Sequence, residues 1–173
     1  MQAELRRRQL QSMAAGLGLV ALLVVASIAH GADNPFAAMS GAWSGPGTVT
    51  LENGAKENIR CRASYDVNGS GASLKLDLRC SSDSFKIELQ SNVSHRNGEL
   101  SGFWNEATKR VGGSIAGRAE GERIEAIVDG PIAAMLEIST RADRQSVSIQ
   151  SPGSKVSEVS ITLSRGIKQA ALP

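Results

Sequence analysis

From residue 43 to residue 165 apolar and polar side chains alternate with a period of two, and no long stretch repeats with helical spacing. Residues 43–52 place Trp43, Gly45, Gly47, Val49 and Leu51 on one face and end at Asn53-Gly54. Residues 59–67 do the same with Ile59, Cys61, Ala63, Tyr65 and Val67, and residues 74–80 with Leu74, Leu76, Leu78 and Cys80. Residues 85–95 present Phe85, Ile87, Leu89 and Val93, and six further runs follow at 99–106, 111–119, 123–129, 132–140, 145–150 and 157–165. Between them stand turn signals, of which Asn97-Gly98 is the strongest, since both residues tolerate the positive φ of a two-residue hairpin. The pattern predicts about ten short strands, each dry on one side only. With every connection short, the simplest topology is an antiparallel meander, and closing it removes two exposed edges. The expected fold is therefore an all-β, up-and-down barrel; a two-sheet β-sandwich is the alternative.

Register carries further information. Folding the second and third runs about Asn68-Gly69-Ser70-Gly71 pairs Val67 with Leu74, Tyr65 with Leu76, Ala63 with Leu78, and Cys61 with Cys80. The two thiols meet where a disulfide is sterically possible, and two cysteines with no others fit an oxidising compartment. The same register sets Arg62 opposite Arg79 on the wet face. Folding the next hairpin about Ser81-Ser82-Asp83-Ser84 then sets Lys86 opposite Arg79 and Glu88 beside Asp77. Arg60, Arg62, Arg79 and Lys86 become a basic row, and opposed like charges in a sheet invite an anion. A phosphate or carboxylate group on an envelope component suits the arginine fork.

The N-terminus changes the picture of location. Arg6, Arg7 and Arg8 precede an apolar run from Met13 to Ala29, and Ala29-His30-Gly31 offers small residues for cleavage. Residues 1–31 read as an export signal, either removed or kept as a membrane anchor, which is the only membrane contact expected. Residues 32–42 read as a linker, 43–165 as the domain and 166–173 as a disordered tail. Setting Glu4, Arg6, Arg7 and Arg8 aside from the 19 basic and 17 acidic residues leaves sixteen of each. Such a balanced domain has no electrostatic case for nucleic acid. A bacterial periplasmic or secreted protein is expected.

Gly41-Ala42-Trp43, opening the first strand, resembles the Gly-x-Trp signature of lipocalins and their calycin relatives. The ten-strand count is similar to that of the small haem-binding barrels of the nitrobindin type. Trp43, the two-cysteine hairpin and the closing run Val159-Ser160-Ile161-Thr162-Leu163-Ser164-Arg165 also resemble those of small exported alphaproteobacterial proteins of unassigned activity. The resemblance implies a barrel and brings no activity with it. Ser40-Gly41-Ala42-Trp43 also parallels Ser101-Gly102-Phe103-Trp104, and both tryptophans are expected to close an end of the core.

Chemistry on the chain is sparse. His95, beside the Asn97-Gly98 turn, reads as solvated, which argues against a triad, a metal set and an axial haem ligand alike. Glu120, Glu122, Glu125, Asp77 and Glu88 alternate with apolar residues and point outward, away from any site that would raise a pKa. No catalytic residue, metal or cofactor is expected. The interior is different: Gly102, Gly113, Gly117, Ala119, Ala126 and Ala134 face in on one wall, opposite leucines and isoleucines. They either leave an apolar pocket or let the barrel flatten. The pocket would be lined by Trp43, Tyr65, Leu76, Leu89, Trp104 and Leu136. The predicted function is a non-enzymatic binding module for a small hydrophobic or lipid-like ligand. The alternative is an envelope structural or protein-interaction module working through the basic strip.

Overall fold

The computed structural model describes residues 34–166. The expected export signal, 1–31, and all but the first residue of the expected tail, 166–173, lie outside the described residues. Ten strands follow one another: β1 (Gly41–Leu51), β2 (Lys56–Val67), β3 (Ser73–Ser81), β4 (Lys86–Arg96), β5 (Glu99–Glu106), β6 (Val111–Glu120), β7 (Arg123–Val128), β8 (Ala134–Arg141), β9 (Arg144–Gln150) and β10 (Val156–Arg165). Each is antiparallel to its neighbours in sequence, and β10 returns to pair with β1, so the meander closes into a barrel and not a sandwich. The alternation read from the sequence is the alternation of wall sides. In β2, Ile59, Cys61, Ala63 and Tyr65 are buried while Arg60, Arg62, Ser64 and Asp66 are exposed. Charged residues therefore cover the outside, the reverse of the apolar outer band of a membrane barrel.

The β2–β3 register is the predicted one, from Val67 against Leu74 to Cys61 against Cys80. Cys61 and Cys80 form a disulfide on the inner side, with Cα atoms 4.1 Å apart. Asn97 and Gly98 both take positive φ, as the β4–β5 hairpin requires. The β3–β4 register differs from expectation. Ser81 pairs with Lys86, Arg79 with Glu88 and Asp77 with Gln90, a displacement of two residues. The cause is the position of the four-residue loop, at 82–85 instead of 81–84: Ser82 and Phe85 are joined by Ser82 N–H to Phe85 O and by Phe85 N–H to Ser82 Oγ, both 2.9 Å. A shift of two leaves every side chain on its own face, so Lys86 stays outside but faces Ser81.

One end of the barrel is sealed. Residues 34–40, read from the sequence as linker, instead cross that end, with a single 3-10 turn at Ala37–Met39 and with Phe36 and Met39 each 1% exposed. Trp43 is buried just inside, and its Nε1–H donates to Met39 O at 2.7 Å. The Arg165 guanidinium lies 4.3 Å from the Trp43 ring centre and bonds Asp143 Oδ1, Ala38 O and Ser40 O. Arg165 thus joins the seam strand, the plug and the β8–β9 turn.

The inward glycines do not create empty space. A Cβ on Gly117 would sit 2.1 Å from Glu125 O, and one on Gly113 would sit 1.7 Å from Asp129 O. Neighbouring backbone occupies the room, which lets that wall curve tightly. Glu106 differs from the outward carboxylates: its side chain is inward and buried at the β5–β6 turn. It accepts from Glu88 N–H, Thr108 N–H, Thr108 Oγ1 and Lys109 N–H at 2.5–3.1 Å. Desolvation pushes this carboxyl up, but the Thr108 hydroxyl and the three backbone donors outweigh it and pull the pKa down to about 2.

Three outcomes follow from these contacts. Cys61→Ala with Cys80→Ala removes a loop constraint worth about 3 kcal/mol in denaturant unfolding. Arg165→Ala strips two plug carbonyls and the Trp43 face of their partner, at a cost of about 2 kcal/mol. Glu106 has a folded pKa below its ordinary 4.5, so its stabilisation is complete above that pH and is lost as pH falls through about 2. Unfolding midpoints of the wild type should decline across that window. Those of Glu106→Gln, about 2 kcal/mol weaker at pH 7, should decline less.

Candidate functional site

Ten strands enclose more volume than side chains of this size fill, because an eight-stranded barrel is already just fillable. The surplus collects at the unsealed end as a cavity of about 310 Å³. Its wall is apolar, and Tyr65, Leu76, Leu89, Trp104 and Leu136 all border it, from β2, β3, β4, β5 and β8. Ile115, Ile149 and Val159 supply other sides. Beneath it a hollow of about 50 Å³ reaches toward Phe36 and Met39 and shares Tyr65, Leu76, Ser91 and Leu136 with the larger space. Trp43 does not join this group. It sits in the sealed end among plug residues, because β1 begins at that pole, whereas Trp104 lies near the other end of the barrel. The two look-alike Gly-x-Trp segments therefore occupy opposite poles.

Polar groups on the wall are few. Tyr65 Oη donates to Gln145 Oε1 at 2.6 Å, and Gln145 Nε2 donates to Thr140 Oγ1 at 2.9 Å. Burial pushes the Tyr65 phenol above its ordinary pKa, so it stays protonated and keeps donating. Ser91, 5% exposed, adds a hydroxyl to the wall of both spaces. At the mouth, Ile132 is 55% exposed yet borders the cavity. Its loop, residues 129–133, is held from two sides: Trp104 Nε1–H donates to Asp129 O at 3.0 Å, and Ser151 Oγ–H donates to Ala133 O at 2.7 Å.

His95 corrects the sequence reading. It shares the inward face of β4 with Ser91 and Val93 and is 7% exposed, not solvated. Its ring meets Phe36 edge-on at 6.4 Å between centroids, and Nε2 accepts Gly98 N–H at 3.1 Å. The plug covers it, and the linker-like composition of residues 34–40 carries no sign of that cover. Neither His95 nor Glu106 borders the cavity or the hollow. Among the described residues, no three His, Cys, Asp or Glu side chains come together as a metal set. Ser91, His95 and Gln145 face inward although polar, and each stands two positions from an inward apolar neighbour. Strand parity is the sequence signal that marks them as inward.

On the outer wall the four basic residues of the predicted row do come together. Arg60, Arg62, Arg79 and Lys86 line a surface groove of about 590 Å³ with Ser44, Pro46, Ser81 and Glu88. Arg62 and Arg79 are directly opposed; Lys86 is ion-paired with Glu88 at 3.2 Å.

No protein-family model matches this chain, and no curated protein matches its sequence. Solved structures do match its fold. The crystal structure of Rv2717c from M. tuberculosis superposes with a TM-score of 0.63 at 14% identity, over 78% of this chain and 97% of that one. The S-type phycobiliprotein lyase CPES from Guillardia theta superposes with a TM-score of 0.53 at 10% identity, over 76% and 90% of the respective chains. At such identities the likeness is one of architecture alone, that of a closed antiparallel β-barrel.

Proposed function

We propose that this chain is an exported, non-enzymatic binding module that takes a small hydrophobic or lipid-like ligand inside its barrel. The observation that carries the reading is the apolar cavity, open at one pole and sealed at the other. Its volume, about 310 Å³, lies at the lower end of the range of small-ligand sites, which are mostly apolar with few polar groups to orient the guest. Tyr65, Leu76, Leu89, Trp104 and Leu136 form the contact wall, and the Ser91 hydroxyl offers a hydrogen bond deep inside. Trp43 belongs to the seal and is left out of the contact set. The disulfide supports export, since such bonds persist in oxidising compartments.

The inward ionisable groups support the non-enzymatic part. Glu106 is consumed in holding a turn and His95 is covered by Phe36, so neither presents a proton-transfer group to a guest. One of the two structural neighbours carries the name of a lyase, but at 10% identity it shares only the barrel.

The test uses N-phenyl-1-naphthylamine and cis-parinaric acid as fluorescent probes. The wild type is expected to bind at least one of them saturably and to show a change in tryptophan emission. That change should vanish in Trp104→Phe, whose residue borders the cavity. Leu136→Trp fills the space and should weaken binding about tenfold or more while leaving the melting temperature close to wild type. Absence of saturable binding of both probes to the wild type, together with a ligand-free mass on native mass spectrometry of protein from its own host, overturns the reading.

A further inference from the structure

We propose that the outer wall carries a second site, independent of the cavity, in which Arg62 and Arg79 bind a phosphate group with help from Arg60 and Lys86. The barrel's cross-strand grid builds it. One row runs Ser44, Arg62, Arg79, Glu88 across β1 to β4, and the next runs Pro46, Arg60, Ser81, Lys86. All of these residues border one groove of about 590 Å³.

The charge in this groove is unbalanced. Glu88 is its single carboxylate, and Lys86 holds it at 3.2 Å. Among the described residues none of the three arginines has an ion-pair partner. Three arginines elsewhere on the barrel are matched: Arg123 bonds Glu125 and Glu137, Arg141 bonds Glu122, and Arg165 bonds Asp143. Directly opposed like charges oppose sheet formation, yet here they sit one position from the disulfide. Cys61–Cys80 staples the inner side of the wall immediately behind Arg62–Arg79 and holds the repelling pair together.

A group filling the groove must supply more than one negative charge and accept from planar donors on two strands. Phosphate does both, and arginine forks bind it with paired N–H donors. The Ser44 and Ser81 hydroxyls stand in the same two rows as further donors. A lone carboxylate would leave most of the charge uncompensated.

Two probes separate the sources of such a group: inorganic pyrophosphate for a free anion, and phosphatidylglycerol vesicles against phosphatidylcholine vesicles for a lipid headgroup. The measurements are made at low ionic strength, where exposed charges are least screened. In the first arm pyrophosphate should raise the wild-type melting temperature saturably, since a ligand of the folded state stabilises it by mass action. In the second arm the protein should sediment with phosphatidylglycerol and not with phosphatidylcholine. A positive result in either arm supports the site and identifies its source.

Arg62→Ala with Arg79→Ala should weaken the positive arm about tenfold. Arg62→Glu, which creates an opposed pair with Arg79, should abolish binding while raising the melting temperature in the absence of anion. Leu136→Trp should bind as the wild type does, which keeps this site distinct from the cavity. If neither probe binds saturably, or if the arginine variants bind as the wild type does, the proposal is overturned.

Discussion

Closure of this barrel depends on what happens where β10 comes back to β1. A meander of ten strands has every pairing but one between neighbours in sequence; the last must be made across the whole chain. Arg165, the final residue of β10, reaches Trp43 in β1, two carbonyls of the plug and the Asp143 carboxylate at the same time. Its guanidinium is suited to this, because it presents a flat face to an aromatic ring and in-plane donors to oxygen. Seam, plug and floor of the core are thereby set by one side chain, and the sealed pole inherits its dryness from that arrangement.

The interior follows from the seal. With Phe36, Met39 and Trp43 occupying one pole, the leucines and isoleucines of the middle have to span a wide barrel unaided, and they fall short toward the other pole. On the wall of β5 to β7 the glycines admit neighbouring backbone in place of side chains. The void is therefore left mainly among large residues; of the inward glycines and alanines named from the sequence, Ala134 alone borders it. Small residues in a strand pattern signal close approach of chain to chain as readily as they signal space.

Period-two alternation made most of the architecture legible, because a strand with one dry face leaves no freedom about which side chains point inward. Cys61 against Cys80 and Tyr65 against Leu76 could be read from spacing for the same reason. The centre of the β3–β4 turn was not legible. Ser81 to Ser84 offers several turn residues and no unique hinge, and the turn lies one residue further along, which puts Glu88 in place of Lys86 opposite Arg79. His95, Ser91 and Gln145 were hidden by their polarity: inward position follows parity, while the eye follows hydrophobicity. The plug was hidden by its brevity, since one 3-10 turn has no period to detect. Five of the six residues expected around a pocket do share one cavity wall. Trp43 stands apart because size alone does not tell which pole a tryptophan serves.

Trp43 and Arg165 are paired residues at the start of the first strand and the end of the last, so the chain enters and leaves through the same pole. A partner fused directly at residue 34 or residue 166 starts from the stoppered base, as a stem hangs from a cup. The rim points away from whatever holds the stem, and a passenger domain or an immobilising surface attached there leaves the opening unobstructed.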